Sequence, residues 1–297
     1  MNRHFLHLDD FDRAALDHLL ERSLVFKAHP RPSPPPLAGR TLALLFTQHS
    51  TRTRVAFFSA MAQLGGSSIF LAPEHSQLDR GEPIEDTARV LSRFVDAIVL
   101  RTASHEALLR FADAATVPVI NGLSTAGHPC QLMADILTFQ EHRGPITGCT
   151  VAWIGDVSNV CRSYMEAARL WDFQLRIATP EELWDHTQAT EAHIGWTPDP
   201  IQAATGAHLV VTDVWVSMGL EQDSLRRRRL LTPYQVTPEL MALAHEQALF
   251  MHCLPAHRGE EVSAAVIDGA WSVVWDEAEN RLHTQKALLE YLFLSSG

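Results

Sequence analysis

Short apolar, often β-branched runs alternate with amphipathic stretches along this chain, and the alternation is played twice with a turn-rich break between. That pattern belongs to parallel α/β sheets, where each strand needs a crossover helix before the next can lie beside it. In the first half the strands fall at Thr41–Phe46, Ser68–Leu71, Ala97–Arg101 and Pro118–Asn121. Helical stretches at Thr53–Leu64, Asp86–Phe94, His105–Ala115 and Pro129–His142 separate or follow them. The run Arg143-Gly144-Pro145-Ile146-Thr147-Gly148 breaks the pattern. The second half restarts it, with strands at Thr150–Gly155, Gln174–Ala178, Leu209–Trp215, Leu249–Cys253 and Ser272–Trp275, and a final helix over His283–Ser295. The expected fold is α/β in two domains, 1–144 and 145–282, each a parallel sheet flanked by helices. The C-terminal helix, 283–297, is expected to pack back on the first domain. A length of 297 residues suits two domains of roughly 150.

Composition narrows the chemistry. No run reaches the ~20 apolar residues of a membrane span. A net charge of -11 argues against nucleic acid or an anionic membrane as the main partner. The first ten residues lack the apolar core of a signal peptide, which makes a cytoplasmic location the expectation. Four cysteines without a CxxC pair read as reduced thiols. Lys27 and Lys286 are the only lysines, so an anion site here would rely on arginine forks.

In such sheets, sites lie beyond the carboxyl ends of strands. The first strand-to-helix turn holds Ser50-Thr51-Arg52-Thr53-Arg54. Helix-start N–H groups, three hydroxyls and two guanidiniums together favour an anion, where Ser-Thr alone would be an ordinary cap. Arg101 ends the third strand; taken alone, an arginine there is more often a surface residue. His128-Pro129-Cys130-Gln131 follows the fourth strand, with proline holding His128 just outside a helix start.

The second half offers Gly155-Asp156-Val157-Ser158-Asn159, which lacks the dinucleotide glycine pattern and leaves Asn159 as either helix cap or ligand. Asp213, at a strand end, suits an ammonium, and Ser217-Met218-Gly219 suits a loop folding over a substrate. Arg226–Arg229 reads as a solvated helix face paired with Glu221 and Asp223. Cys253 lies between His252 and the Leu254-Pro255 turn, without a cysteine-protease pattern around it. Arg281 ends Glu277-Ala278-Glu279-Asn280-Arg281, ahead of the final helix, and fits either a salt bridge or an anion contact.

In order along nearly the whole chain, these blocks resemble the ornithine carbamoyltransferases. Further blocks carry the resemblance: Gln77-Leu78-x-Arg80-Gly81-Glu82, Asp86–Arg93, Asn121-Gly122-Leu123 and His252-Cys253-Leu254-Pro255. The resemblance implies carbamoyl transfer from carbamoyl phosphate to the δ-amine of L-ornithine, giving L-citrulline and phosphate in arginine metabolism. It implies that Ser50, Thr51, Arg52, Thr53, Arg101, His128 and Gln131 bind carbamoyl phosphate, with Gln77 supplied across a subunit interface. Asn159, Asp213, Ser217 and Met218 would hold ornithine, and Cys253, Leu254 and Arg281 would lie where the substrates join. Arg101, His128, Asp213 and Cys253 are the expected catalytic set. A homotrimer or higher multiple, needing no metal or organic cofactor, is the implied assembly. Thr47-Gln48 replaces the family's usual Glu-Lys, removing a positive charge near the phosphate, with His49 as a partial substitute. Val157-Ser158-Asn159 stands where Gly-Asn-Asn is usual. Other acceptors (putrescine, an acylated ornithine, aspartate) fit less well, because Asp213 and Ser217-Met218-Gly219 suit a free α-amino acid. A binding relative without catalysis is the alternative from another class, and only the missing lysine favours it.

Overall fold

The computed structural model describes residues 4–72, 81–184, 191–216 and 223–294. The chain forms two compact units, one from Met1–Ala134 with Glu279–Gly297 and the other from Asp135–Ala278.

The first unit is built on four parallel strands: β1 (Thr41–Phe46), β2 (Ser67–Leu71), β3 (Ala97–Arg101) and β4 (Val119–Leu123). Their order is β2-β1-β3-β4. The inner strands are buried on both faces, as crossover helices on either side require, whereas edge strand β2 is largely open. The helices are α1 (Arg13–Ala28), α2 (Thr51–Gln63), α3 (Ile84–Leu91), α4 (His105–Ala114) and the start of α5 (Pro129–Arg143). Asp12 caps α1 and Ser104 caps α4, each accepting a backbone N–H from three residues on.

The second unit has five parallel strands: β5 (Thr150–Ile154), β6 (Gln174–Ala178), β7 (Ile194–Thr197), β8 (Leu209–Thr212) and β9 (Leu249–His252), ordered β7-β6-β5-β8-β9. Its helices are α6 (Asn159–Trp171), α7 (Pro200–Ala204), α8 (Ser224–Leu231), α9 (Pro238–Met241) and α10 (Ala264–Ile267). Trp153, Trp171 and Tyr164 are its largest fully buried side chains.

The last helix, α11 (Val274–Leu294), opens with Asp276 and Glu277 in its first turn. From Glu279 onward it packs on the first unit, as expected. Arg22 holds Glu290 with two hydrogen bonds of 2.5 and 2.8 Å, Lys27 donates to Asn280, and Lys286 donates to the Pro30 carbonyl.

Four elements differ from the sequence reading. Ser272–Trp275 is no strand: Ser272 makes one bridge to Phe250, and helix begins at Val274. The acids of that first turn favour a helix N-terminus and outweigh the β-branched pair Val273-Val274. The final helix therefore starts nine residues ahead of His283, and Glu277 through Arg281 lie within it. Helix α1 and strand β7 have no counterpart in the sequence reading.

Candidate active site

In each sheet the strand order reverses at one point, and described candidate residues lie at the strand ends beside it. In the first unit the reversal lies between β1 and β3, paired Phe46 to Arg101. Thr47 donates to the Arg101 carbonyl through both its N–H (2.9 Å) and its hydroxyl (3.2 Å), which ties the β1 turn to the end of β3. Ser50 is the N-cap of α2, yet its side chain accepts no capping hydrogen bond, and exposed Thr51 follows. Thr53 is buried one turn in, and its hydroxyl accepts a 2.6 Å hydrogen bond from the buried Arg281 guanidinium.

Arg101 is itself buried, with Nη1 3.5 Å from the Gly122 carbonyl. Gly122 is the residue this packing permits, since a Cβ there would stand 2.9 Å from Val99 Cγ1 and 3.5 Å from Arg101 Cβ. Buried Asn121 shapes the loop ahead of His128: its amide donates to the Leu6 and Gly127 carbonyls and to Ser124 Oγ, and it accepts from Leu123 N. His128 then sits immediately before Pro129, the first residue of α5, with Gln131 buried in the first turn. Burial, and then the charges of Arg281, Arg101 and Arg52, hold His128 well below the ordinary histidine value, so its imidazole is neutral. Arg52, Arg101, His128 and Arg281 are thus one electrostatic cluster. Arg54 is not in it. Its exposed guanidinium lies 4.7 Å over the Phe70 ring, because one residue of helix turns it about 100° away from Thr53.

In the second unit the reversal lies between β5 and β8. Ser158, not Asn159, caps α6, accepting from Val160 N and Cys161 N; Asn159 is the first helical residue, half-buried. Asp213 is buried just past β8, where one carboxylate oxygen accepts from Val214 N at 2.8 Å and from the Cys253 thiol at 3.3 Å. Burial, together with the carboxylates of Asp213, Glu277 and Asp135, raises Cys253 well above the usual thiol value, so it carries its proton. The loop behind it is fixed from several sides. His252 N donates to Glu277 at 3.0 Å, and His252 Nδ1 accepts from Leu254 N at 2.9 Å, which leaves Nε2 to donate to Glu261 at 3.1 Å. These bonds hold Leu254 at φ +57°, a conformation a leucine adopts only under constraint. Burial would raise the Glu261 carboxyl, but hydrogen bonds from His252 and His257 N–H outweigh it and keep it below the usual range. Asp213, His252 and Cys253 bring donor atoms within 4.8 Å of one another, although both His252 ring nitrogens are already engaged.

Gln77, Ser217 and Met218 lie outside the described residues. The arginine run is more than a solvated face: half-buried Arg227 holds buried Asp156 at 2.5 Å, while Arg226 and Arg228 pair with Asp223 and Glu260 at the surface. Glu261 and Asp135 escaped the sequence reading because a single acid in an apolar or loop context carries no spacing signal. Glu277 was visible as part of a block but not as the acceptor for His252.

One sheet ends at a cluster of guanidiniums around a neutral imidazole and the other at a carboxylate and a protonated thiol, groups that suit a group-transferring enzyme. Residues 3–141 match the model of the aspartate/ornithine carbamoyltransferase carbamoyl-P binding domain, and residues 147–292 match its Asp/Orn binding domain. The chain belongs to the aspartate/ornithine carbamoyltransferase family. It is 56% identical over 295 residues to the ornithine carbamoyltransferase of Methylococcus capsulatus, covering 98% of each chain. Among solved structures, the ornithine carbamoyltransferase of Burkholderia thailandensis E264 superposes with a TM-score of 0.89 at 47% identity, covering 98% of this chain and 99% of that one. The enzyme of Pyrococcus furiosus gives 0.91 at 44%, with 97% and 96% covered.

Proposed function

We propose that this chain transfers the carbamoyl group of carbamoyl phosphate to the δ-amine of L-ornithine, releasing L-citrulline and phosphate within arginine metabolism. The observation that carries the reading is the set of buried His128, Arg101 and Arg281 with half-buried Arg52: a neutral imidazole among three guanidiniums. Such a set binds a dianionic phosphate through the arginines and still offers an uncharged N–H to a carbonyl oxygen. In this reading Ser50, Thr51, Arg52, Thr53 and Arg101 take the phosphate, while His128, Arg101 and Arg281 polarise the carbonyl, with Gln131 on the carbamoyl amide. Gln77 comes from a neighbouring copy in a homotrimer. Exposed Val55 and Ile69, beside half-buried Phe58 and Phe70 near edge strand β2, support association with further copies. Four cysteines free of disulfides support a cytoplasmic setting.

Ornithine is held by Asn159, Asp213, Ser217 and Met218, with Asp213 on the α-ammonium. The neutral δ-amine attacks the carbonyl carbon, and the tetrahedral intermediate collapses as the C–O bond to phosphate breaks and its electron pair leaves with phosphate. The amine's second proton passes to the departing phosphate, so no dedicated base is needed. Cys253, held as a thiol, is no covalent nucleophile here: it donates to Asp213 and, beside Leu254, orients the amine. The test is citrulline formation, in both directions, with ornithine set against putrescine, N-acetylornithine and aspartate. Ornithine should exceed every other acceptor in kcat/KM. Equal or better turnover of another amine would overturn the acceptor, and binding of carbamoyl phosphate without turnover of any amine would overturn the activity.

A further inference from the structure

Outside the substrate machinery, the turn after β9 places a second set of donor atoms together. His257, Glu260 and Glu261 each offer one ligand atom, all within 4.8 Å of one another. The turn is shaped by Glu260 N donating to the His257 carbonyl, Gly259 N to the Val262 carbonyl, and Gln235 Nε2 to the Glu260 carbonyl at 2.7 Å. Clustered acids alone would signify nothing. Glu261, however, has a side chain with 0% exposure whose two oxygens are unequal. Oε1 takes hydrogen bonds from His257 N at 2.6 Å and from His252 at 3.1 Å. Oε2 is buried with no hydrogen-bond partner among the described residues, and faces His257 Nδ1 at 3.9 Å. An unbonded buried carboxylate oxygen is expensive to leave unsatisfied. A separation of 3.9 Å is too long for a hydrogen bond. It is somewhat wider than the ~3–3.4 Å between neighbouring ligand atoms that each stand about 2.1 Å from one octahedral or tetrahedral ion. A small rotation of the His257 ring, 53% exposed, closes the difference.

We infer that His257 Nδ1, Glu261 Oε2 and a Glu260 carboxylate oxygen form a divalent-cation site, with waters completing the coordination. One imidazole and two carboxylates suit Mn²⁺, Co²⁺ or Zn²⁺. Arg228, paired with Glu260, is the built-in competitor for the ion. Because Glu261 also holds His252, an ion here would bear on the loop that carries Cys253 and Leu254.

The probe is Mn²⁺, a hard ion that disfavours the thiol of Cys253, titrated into the full-length protein and followed by electron paramagnetic resonance of the free ion. The wild type should bind one Mn²⁺ per chain. His257→Ala should weaken binding at least tenfold, and Arg228→Gln, which frees Glu260, should tighten it severalfold. No binding by the wild type at millimolar Mn²⁺, or equal binding by His257→Ala, overturns the site. So does unchanged or weaker binding by Arg228→Gln, a surface variant that leaves the ligands in place.

Discussion

His128 stays neutral because a proton on its ring would be buried beside three guanidiniums. Its value is depressed in the folded protein, so below the ordinary histidine value of 6.5 the unfolded chain binds a proton that the folded one refuses. Stability contributed by this residue is therefore complete above pH 6.5 and declines as pH falls beneath it. His128→Gln, neutral at every pH, should lose less melting temperature than wild type between pH 7.5 and 5.5; an identical loss would show that the ring titrates normally. His128→Ala should lower kcat by about 10²–10³-fold, the usual effect of removing one donor to a developing oxyanion, and His128→Gln should lose less. Thr53 tests the neighbouring contact. Thr53→Val strips the hydroxyl that accepts from Arg281 while keeping the side-chain shape. A hydrogen bond to a charged group is worth about 1.5–3 kcal/mol, so kcat/KM for carbamoyl phosphate should fall by one to two orders of magnitude. Wild-type kinetics would mean that Arg281 needs no such anchor.

Helix α11 is tied to α1 and the segment just after it by both lysines of the chain, Lys27 to Asn280 and Lys286 to the Pro30 carbonyl. The second tie has a penalty attached: burial, and then Arg31, bring Lys286 down from 10.5 to about 8. Between those values the unfolded chain binds more protons than the folded one, so stability rises with pH across the window and is lowest below it. Lys286→Met should therefore melt higher than wild type at pH 7, and its gain in melting temperature between pH 7 and 10 should be smaller. A wild-type melting curve flat over that range would count against the buried charge. The same elements show what a single sequence reveals. Strands β1, β3 and β6 were legible to the residue: β1 and β3 because buried parallel strands are near-continuous apolar runs, and β6 because Leu175, Ile177 and Ala178 alternate with or follow polar Gln174 and Arg176. Helix α1 went unread although Leu16, Leu19, Leu20, Ser23 and Phe26 mark one buried stripe, since exposed Leu24 and Val25 blur the period. Edge strand β7 has four residues, one a glycine, too few to show a period against its turn-like neighbours. In the site, residues beyond strand ends were legible through motif and place. Partners joined only by tertiary packing, such as Glu261 on His252 or Arg227 on Asp156, leave no local trace.

At the scale of the whole molecule, a chain with net charge -11 repels its own copies at long range, so stable association needs a contiguous apolar contact to offset it. Near β2 such a surface exists: Val55 is 53% exposed and Ile69 47%, and Arg54, Val55, Phe58, Ser59 and Phe70 line a hollow of about 360 Å³. A charge placed there should be far more disruptive than one on a polar face, because it must be desolvated in the contact. Val55→Glu with Ile69→Glu is expected to lower the mass measured by light scattering from that of the proposed trimer to that of a single chain. If Gln77 works in a neighbouring copy's site, the same variant should lose activity although every other proposed ligand is intact. Mixing separates that loss from simple misfolding. Arg52→Ala and Gln77→Ala chains should each be nearly inactive as pure assemblies. Unfolded together in equal amounts and refolded, they should regain activity, because random assortment leaves roughly one site in four with both residues native. Recovery requires that Arg52 and Gln77 of one site come from different chains; a mixture as inactive as its parents would place both on the same chain and remove the reason for a trimer in catalysis.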